Sequence, residues 1–160
     1  MAAGAQAIPF PDAHFDGAMM LKSLHHVPLD LLGTALSEVA RVLRPGAWFY
    51  VSEPIYAGAL NEVVRLYNEE REVRAAAQRA LDAAIDSGQW QAISEHRFAM
   101  AVHFADFDDF ERRMMYPSFK DHRIDDAVLA RVRSAYTPHQ GPQGADFRRL
   151  LHVRLLRKPT

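Results

Sequence analysis

The chain has 160 residues and a mass of 18.1 kDa, a length that buries roughly two thirds of the unfolded surface around one core and leaves no room for a second full domain. Its 49% hydrophobic and 24% charged residues exclude a globally disordered chain. Nineteen basic against twenty acidic side chains give a formal charge of −1, so there is no cationic field to hold a phosphate backbone, and nucleic acid is not an expected partner.

With no cysteine there is no disulfide, thiolate metal site or cysteine nucleophile. The longest apolar stretches fall short of the ~20 residues a membrane helix requires, and MAAGAQAIPFPD lacks a basic region followed by an apolar block. A cytoplasmic protein without membrane contact is expected.

In chain order, Ile8-Pro9-Phe10-Pro11-Asp12 is an entry loop, because two prolines forbid a helix there. FDGAMML, from Phe15 to Leu21, is short and apolar and reads as a buried strand. Beyond Pro28, Asp30 is placed to cap a helix in which Leu32, Ala35, Leu36, Val39 and Leu43 recur at three- and four-residue intervals, with Arg44-Pro45-Gly46 as its stop. AWFYVS, from Ala47 to Ser52, is the strongest strand signal. Strand, helix, strand implies a right-handed parallel crossover.

From Ala57 to Ser87 no proline occurs, and Leu60, Val63, Val64, Tyr67, Val73, Ala77, Ala80, Leu81, Ala84 and Ile85 trace one helical face. A long helix, broken at most once, is expected there, with Glu70 and Arg74 as an i,i+4 pair and Gly88 as the stop. Phe98, Val102 and Phe104 suggest a short extended piece before a helix capped by Asp106 and ended by Pro117. Asp125 opens another helix, residues 138–144 form a turn, and a last strand runs from about Phe147 to Arg157. Its Arg148, Arg149, Arg154 and Arg157 suggest a solvated edge or face.

Several fragments carry a family resemblance: AQAIPFPDAHFD from Ala5, LHHV at Leu24 to Val27, LSEVARVLRPG at Leu36 to Gly46, and FYVSEP at Phe49 to Pro54. Their order and spacing resemble the second half of the class I S-adenosylmethionine-dependent methyltransferase fold, in the broad family of small-molecule methyltransferases. LLRKP at Leu155 to Pro159 is similar to the family's final strand. The resemblance implies an α/β fold, a truncated Rossmann-like methyltransferase sheet from the fourth strand onward with helices on its faces. It divides the single domain into a strand-helix-strand core over 5–54, a mostly helical lid with connections over 57–136, and a final strand over 147–157.

The resemblance also implies S-adenosylmethionine as cofactor, with Ala5 and Gln6 near the adenine edge and Leu21 and Lys22 facing the methyl donor. The family's glycine-rich turn is not matched: the eight glycines include no Gly-x-Gly pair, and the acidic residue that many members place beside the adenine amine appears as Gly4. Three strands and their helices are expected upstream of Met1. Phe15 to Leu21, a central strand in the family, then becomes an apolar edge. A homodimer is expected through this edge, paired antiparallel about a two-fold axis, or through the 57–87 helix, whose Ala75 to Ala84 stretch allows close helix approach.

By family position, His25 and His26 lie in the loop over the pocket, where one imidazole either accepts a proton from an oxygen or nitrogen nucleophile or serves as a structural hydrogen-bonding or solvent-facing group. Glu53, at the C-terminal end of the second strand, is where open α/β sheets place ligand-contacting groups. It either orients a substrate or caps the turn before the long helix. Tyr56 either lines the same crevice or packs on the helix start. His96 and His103 are seven apart and no His-Glu-x-x-His occurs, so no metal site is expected. Asp106, Asp108, Asp109 and Glu111 lack calcium-loop spacing and read as a solvated helix N-terminus.

Three functional readings remain: methyl transfer to a small molecule once complemented by the cofactor-binding half, a non-catalytic dimerising or ligand-holding remnant, and an enzyme with an intersubunit site.

Overall fold

The computed structural model describes residues 3–116 and 122–160; the expected helix stop at Pro117 lies outside them. The elements in chain order are β1 (Phe15–Leu21), α1 (Leu32–Val42), β2 (Leu43–Pro54), α2 (Ala59–Val64), α3 (Arg71–Asp86), β3 (Gln91–Phe104), α4 (Phe107–Phe110), α5 (Asp126–Tyr136), β4 (Gln140–Gly141) and β5 (Gly144–Arg157). Strand order is β1-β2-β5-β3, with β4 paired to β5. The chain divides into two compact units, Met1–Ile55 with Arg71–Phe98 and Leu151–Thr160, and Tyr56–Glu70 with Ala99–Leu150. No helix among the described residues is long and apolar enough to cross a membrane.

In the first unit β1 and β2 run parallel, joined through α1, and β2 pairs antiparallel with β5. α1 forms because Leu32, Ala35, Leu36, Val39 and Val42 fall on one buried face, the three-and-four spacing of an amphipathic helix. Asp30 does not cap it: a 3-10 turn at Leu29–Leu31 precedes α1, and the cap position is Leu31, without a side-chain bond. Ala18, Met20, Phe49, Val51 and Leu156 pack with α1 and with Ala77, Leu81 and Ala84 of α3. Trp90 closes this core against Phe49, ring centroids 5.0 Å apart.

Arg44-Pro45-Gly46 is not merely a helix stop. β2 begins at Leu43, four residues earlier than the aromatic run suggested, and the register jumps from Phe15↔Leu43 to Gly17↔Trp48. The intervening residues form a bulge, which tolerates a proline without an N–H and needs the left-handed Gly46, φ 78°. Lys158 fastens it: its backbone exchanges hydrogen bonds with Gly46 and Ala47 at 3.0 and 2.9 Å, and its Nζ donates to the Leu43 carbonyl at 2.7 Å.

The segment expected as one long helical face is two helices in different units. Leu60, Val63 and Val64 of α2 belong to the second core and Ala77, Leu81 and Ala84 of α3 to the first, and Glu70 directly precedes α3. Of the alanine stretch, Ala77 and Ala84 are buried in the first core and Ala76 and Ala80 pack against it. β3 is another departure, fourteen residues long where a short extended piece was expected within a mostly helical span. β5 lies between β2 and β3 and so is no edge, and Arg154 on it is buried.

The second unit is organised by aromatics. Phe104, Phe107, Phe110, Tyr136 and Phe147 form its centre, with Arg113 over the Phe104 ring at 4.7 Å and Arg133 over Phe107 at 4.0 Å. Asp106 and Asp125 cap their helices as the sequence implied, accepting from the Asp109 and Val128 N–H at 2.8 Å each. Asp109 pairs with Arg113 and Arg112, which hold its carboxyl below the usual range.

Gly144 adopts φ 108°, and a Cβ there would stand 2.4 Å from the Phe104 carbonyl oxygen. Gly144→Ala therefore lowers stability by about 2 kcal/mol or more. Gly33→Ala on α1, where a Cβ meets nothing within 4 Å, raises it by up to about 1 kcal/mol. Urea unfolding of both variants checks the pair.

Candidate active site

β1 ends at Leu21, and Lys22 turns the chain through a left-handed backbone, φ 55°, while its N–H still bonds to the Ser52 carbonyl at 2.6 Å. A non-glycine residue in this region costs energy and marks a constrained turn. The chain then enters a 3-10 turn at Leu24–His26. Glu53, at the end of β2, reaches back to this turn. Its Oε1 accepts from the Ser23 and Leu24 N–H groups at 3.1 and 2.8 Å, and its Oε2 lies 2.5 Å from His25 Nδ1.

Both side chains are buried, Glu53 1% and His25 5% exposed. A carboxylate out of water is stable only when its lone pairs are taken, and Glu53 has three partners. It caps a turn, but the one that follows β1, not the one before the long helical segment. Its contact with His25 selects the tautomer with the proton on Nδ1, which places the basic lone pair on Nε2. His26 is exposed, its ring centroid 4.1 Å from that of His25.

The other expected site residues are dispersed. Leu21 is 53% exposed and Lys22 partly buried, both leading into the His25 turn. Ala5 and Gln6 are half-buried on the entry loop, in a turn closed by Ala7 N–H to the Gly4 carbonyl at 3.0 Å. Tyr56 belongs to the second unit, where its hydroxyl donates to Glu69 at 2.7 Å.

Two groups of residues escaped the sequence reading. Arg41 ties the entry loop to α1: it donates to the Ile8 and Phe10 carbonyls at 2.9 Å each, to Asp12 at 2.8 Å and to both oxygens of Glu38. Glu38 also accepts from the Ile8 N–H at 3.1 Å, and with Arg41 beside it its carboxyl is lowered to about 2. The signal was present as a Glu38/Arg41 pair at i,i+3 within the helix.

The second group lies on β5. His152 pairs with Glu95 at 2.8 Å, and Arg154 with Asp82 of α3 at 2.6 Å. Strand alternation puts His152 and Arg154 on one face, and register places His152 directly across from Glu53 and Arg154 across from Val51. Burial, then Arg154, pushes the His152 imidazole below its ordinary value, against the opposing pull of Glu95.

Residues 1–51 match the model of the family described as "Methyltransferase domain". A 69-residue stretch, 42% of this chain, is 44% identical to the O-methyltransferase rstn1 of Aspergillus nomiae and spans 30% of that protein. A 49-residue stretch, 31% of the chain, is 45% identical to the fatty-acid O-methyltransferase of Mycolicibacterium smegmatis and spans 17% of it. The chain thus spans less than a third of these relatives. Among solved structures, a methyltransferase-like protein of Bacillus halodurans C-125 superposes with a TM-score of 0.61 at 20% identity, and the YcgJ protein of Bacillus subtilis with 0.62 at 19%. Each match covers 99% of this chain and 70% of the other. The fold is that of class I methyltransferases, and the similarity to the methyltransferase family in sequence lies in residues 1–51.

S-adenosylmethionine is the cofactor that this family implies. The described residues do not by themselves form a holder for it. No Gly-x-Gly turn occurs in the sequence, and at Gly4 the nearest group is the movable end of the Gln6 side chain.

Glu53→Gln removes charge-assisted bonds from a buried turn and lowers stability by about 2 kcal/mol in urea unfolding. His152 protonates less readily folded than unfolded, so the unfolded state binds more protons as pH falls below the ordinary 6.5. Its contribution is present above that pH and is lost as pH falls toward the depressed folded value. His152→Gln therefore flattens the acid limb of stability below about pH 6.5, as thermal unfolding on either side of that pH measures.

Proposed function

We propose that this chain is the acceptor-activating part of an O-methyltransferase for a small molecule, working with a glycine-rich cofactor-holding segment that its sequence does not contain. The observation that carries this reading is the His25–Glu53 pair, 2.5 Å apart at the C-terminal ends of two parallel strands, where open α/β sheets bind their ligands. The oxygen acceptor is inferred from relatives named as O-methyltransferases.

When bound, the family's cofactor supplies an electrophilic methyl group. The chain's own residues handle the proton. Glu53 holds His25 with N–H on Nδ1, and Nε2 takes the proton of the acceptor hydroxyl as its oxygen becomes nucleophilic. Lys22 and Leu21 set the loop that carries the imidazole. A non-catalytic remnant is the second reading, favoured by the absence of a Gly-x-Gly turn from this sequence.

Calorimetry with S-adenosylmethionine, followed by methylation assays with and without the N-terminal part of a structural neighbour such as YcgJ, tests both. The first reading expects no micromolar donor binding by the chain alone. It also expects turnover with the added segment that falls about 10²–10⁴-fold in His25→Gln. Neither donor binding nor turnover under any condition favours the remnant, and turnover unaffected by His25→Gln removes the proposed base.

A further inference from the structure

His152 and Arg154 are buried, 5% and 9% exposed, on the helix-covered face of β5, and their partners lie on different elements. His152 Nε2 stands 2.8 Å from Glu95 Oε1 of β3, while Arg154 Nη1 donates to Asp82 Oδ1 of α3 at 2.6 Å. Arg154 Nε also approaches His152 Nε2, at 3.4 Å. One ring nitrogen does not serve both neighbours, because a carboxylate needs its N–H and a guanidinium needs its lone pair. The shorter contact assigns the N–H to Nε2, facing Glu95, and leaves the basic lone pair on Nδ1. That is the opposite tautomer to His25. The other charged groups around the ring are Arg97, 3.4 Å from the same Glu95 oxygen, and Glu53, directly across the ladder on β2; α3 contributes Asp82, through Arg154. Burial and then Arg154 disfavour the charged imidazole.

We propose that His152 is a proton-operated switch for the attachment of α3 to the sheet. While the ring is neutral, Arg154 shares the interior with it and ties β5 to Asp82. A proton arriving at Nδ1 leaves the Nε2–H on Glu95 and sets a second cation against Arg154 in a dry interior, where like charges are costly. Glu95 holds the imidazolium, so the guanidinium is the group that leaves, following Asp82, which is 57% exposed. Its departure removes the side chain linking β5 to α3 and leaves the apolar contacts of Ala77, Leu81 and Ala84 as the attachment. The switch moves one proton between solvent and ring and breaks no covalent bond. It is independent of any methyl-transfer activity.

Nitrogen NMR of the histidine rings, with His152 assigned by the signals lost in His152→Gln, reads the tautomer and the titration midpoint. The neutral ring should carry its proton on Nε2 and titrate below the ordinary 6.5. Hydrogen exchange is then followed above and below that midpoint, corrected for the intrinsic pH dependence of exchange. The amides of residues 77–86 should lose at least about fivefold of their protection below it, while those of α1 keep theirs, which a general acid destabilisation would not allow. Arg154→Met keeps most of the side-chain volume without the charge, and should raise the His152 midpoint and abolish the loss in α3. Asp82→Asn, at an exposed side chain, should lower α3 protection above the midpoint and leave little further loss below it; this variant decides if Arg154→Met does not fold. A neutral ring protonated on Nδ1, or one that stays neutral until the chain unfolds, overturns the proposal. So does an α3 whose protection ignores the midpoint, or a loss that survives Arg154→Met or persists in full in Asp82→Asn.

Discussion

The Glu53 carboxylate is the interaction on which the candidate site depends. A 3-10 turn leaves backbone N–H groups without partners at its start, and in the turn after β1 Leu24 and His25 are buried, so water does not satisfy the Leu24 N–H. Glu53 supplies two of those partners from a neighbouring strand and uses its other oxygen on His25. One side chain therefore fixes where the loop leaves the sheet, how the imidazole is oriented and which ring nitrogen is basic.

Around this pair, elements distant in sequence are held by a few polar clamps. Arg41 and Glu38 bind the entry loop to α1, and Lys158 closes the β2 bulge, so the first and second strands both enter the sheet at fixed points. These clamps use signature residues of the methyltransferase resemblance, the Glu and Arg of LSEVARVLRPG and the Lys of LLRKP. Their roles in this molecule are architectural. Behind the site, His152 lies across the ladder from Glu53, which continues a row of ionisable side chains on the helix-covered face.

Much of the core was legible because it obeys short-range rules. β1 lies where the apolar run placed it, α1 follows its three-and-four spacing, and both capping aspartates act as caps. The failures share a cause. Asp30 looked like a cap, but the 3-10 turn after Pro28 moved the helix start past it. The 57–87 face looked continuous because periodicity does not record which core each turn enters. Arg154 looked like a surface charge because a local window does not contain Asp82, seventy-two residues away.

The sequence by itself determined the α/β class, the strand–helix–strand core and the absence of a Gly-x-Gly turn, since all of these are written in local composition, spacing and motif. Tertiary structure alone decided that Glu53 holds His25, that Arg154 and His152 are buried, that Ala77 and Ala84 of α3 face inward and that β1 stands at the end of the ladder. Those outcomes depend on which distant backbone and side-chain groups share a dry interior. There an unpaired polar atom costs more than local propensity can offset, so the partner, not the neighbouring sequence, sets each residue's role.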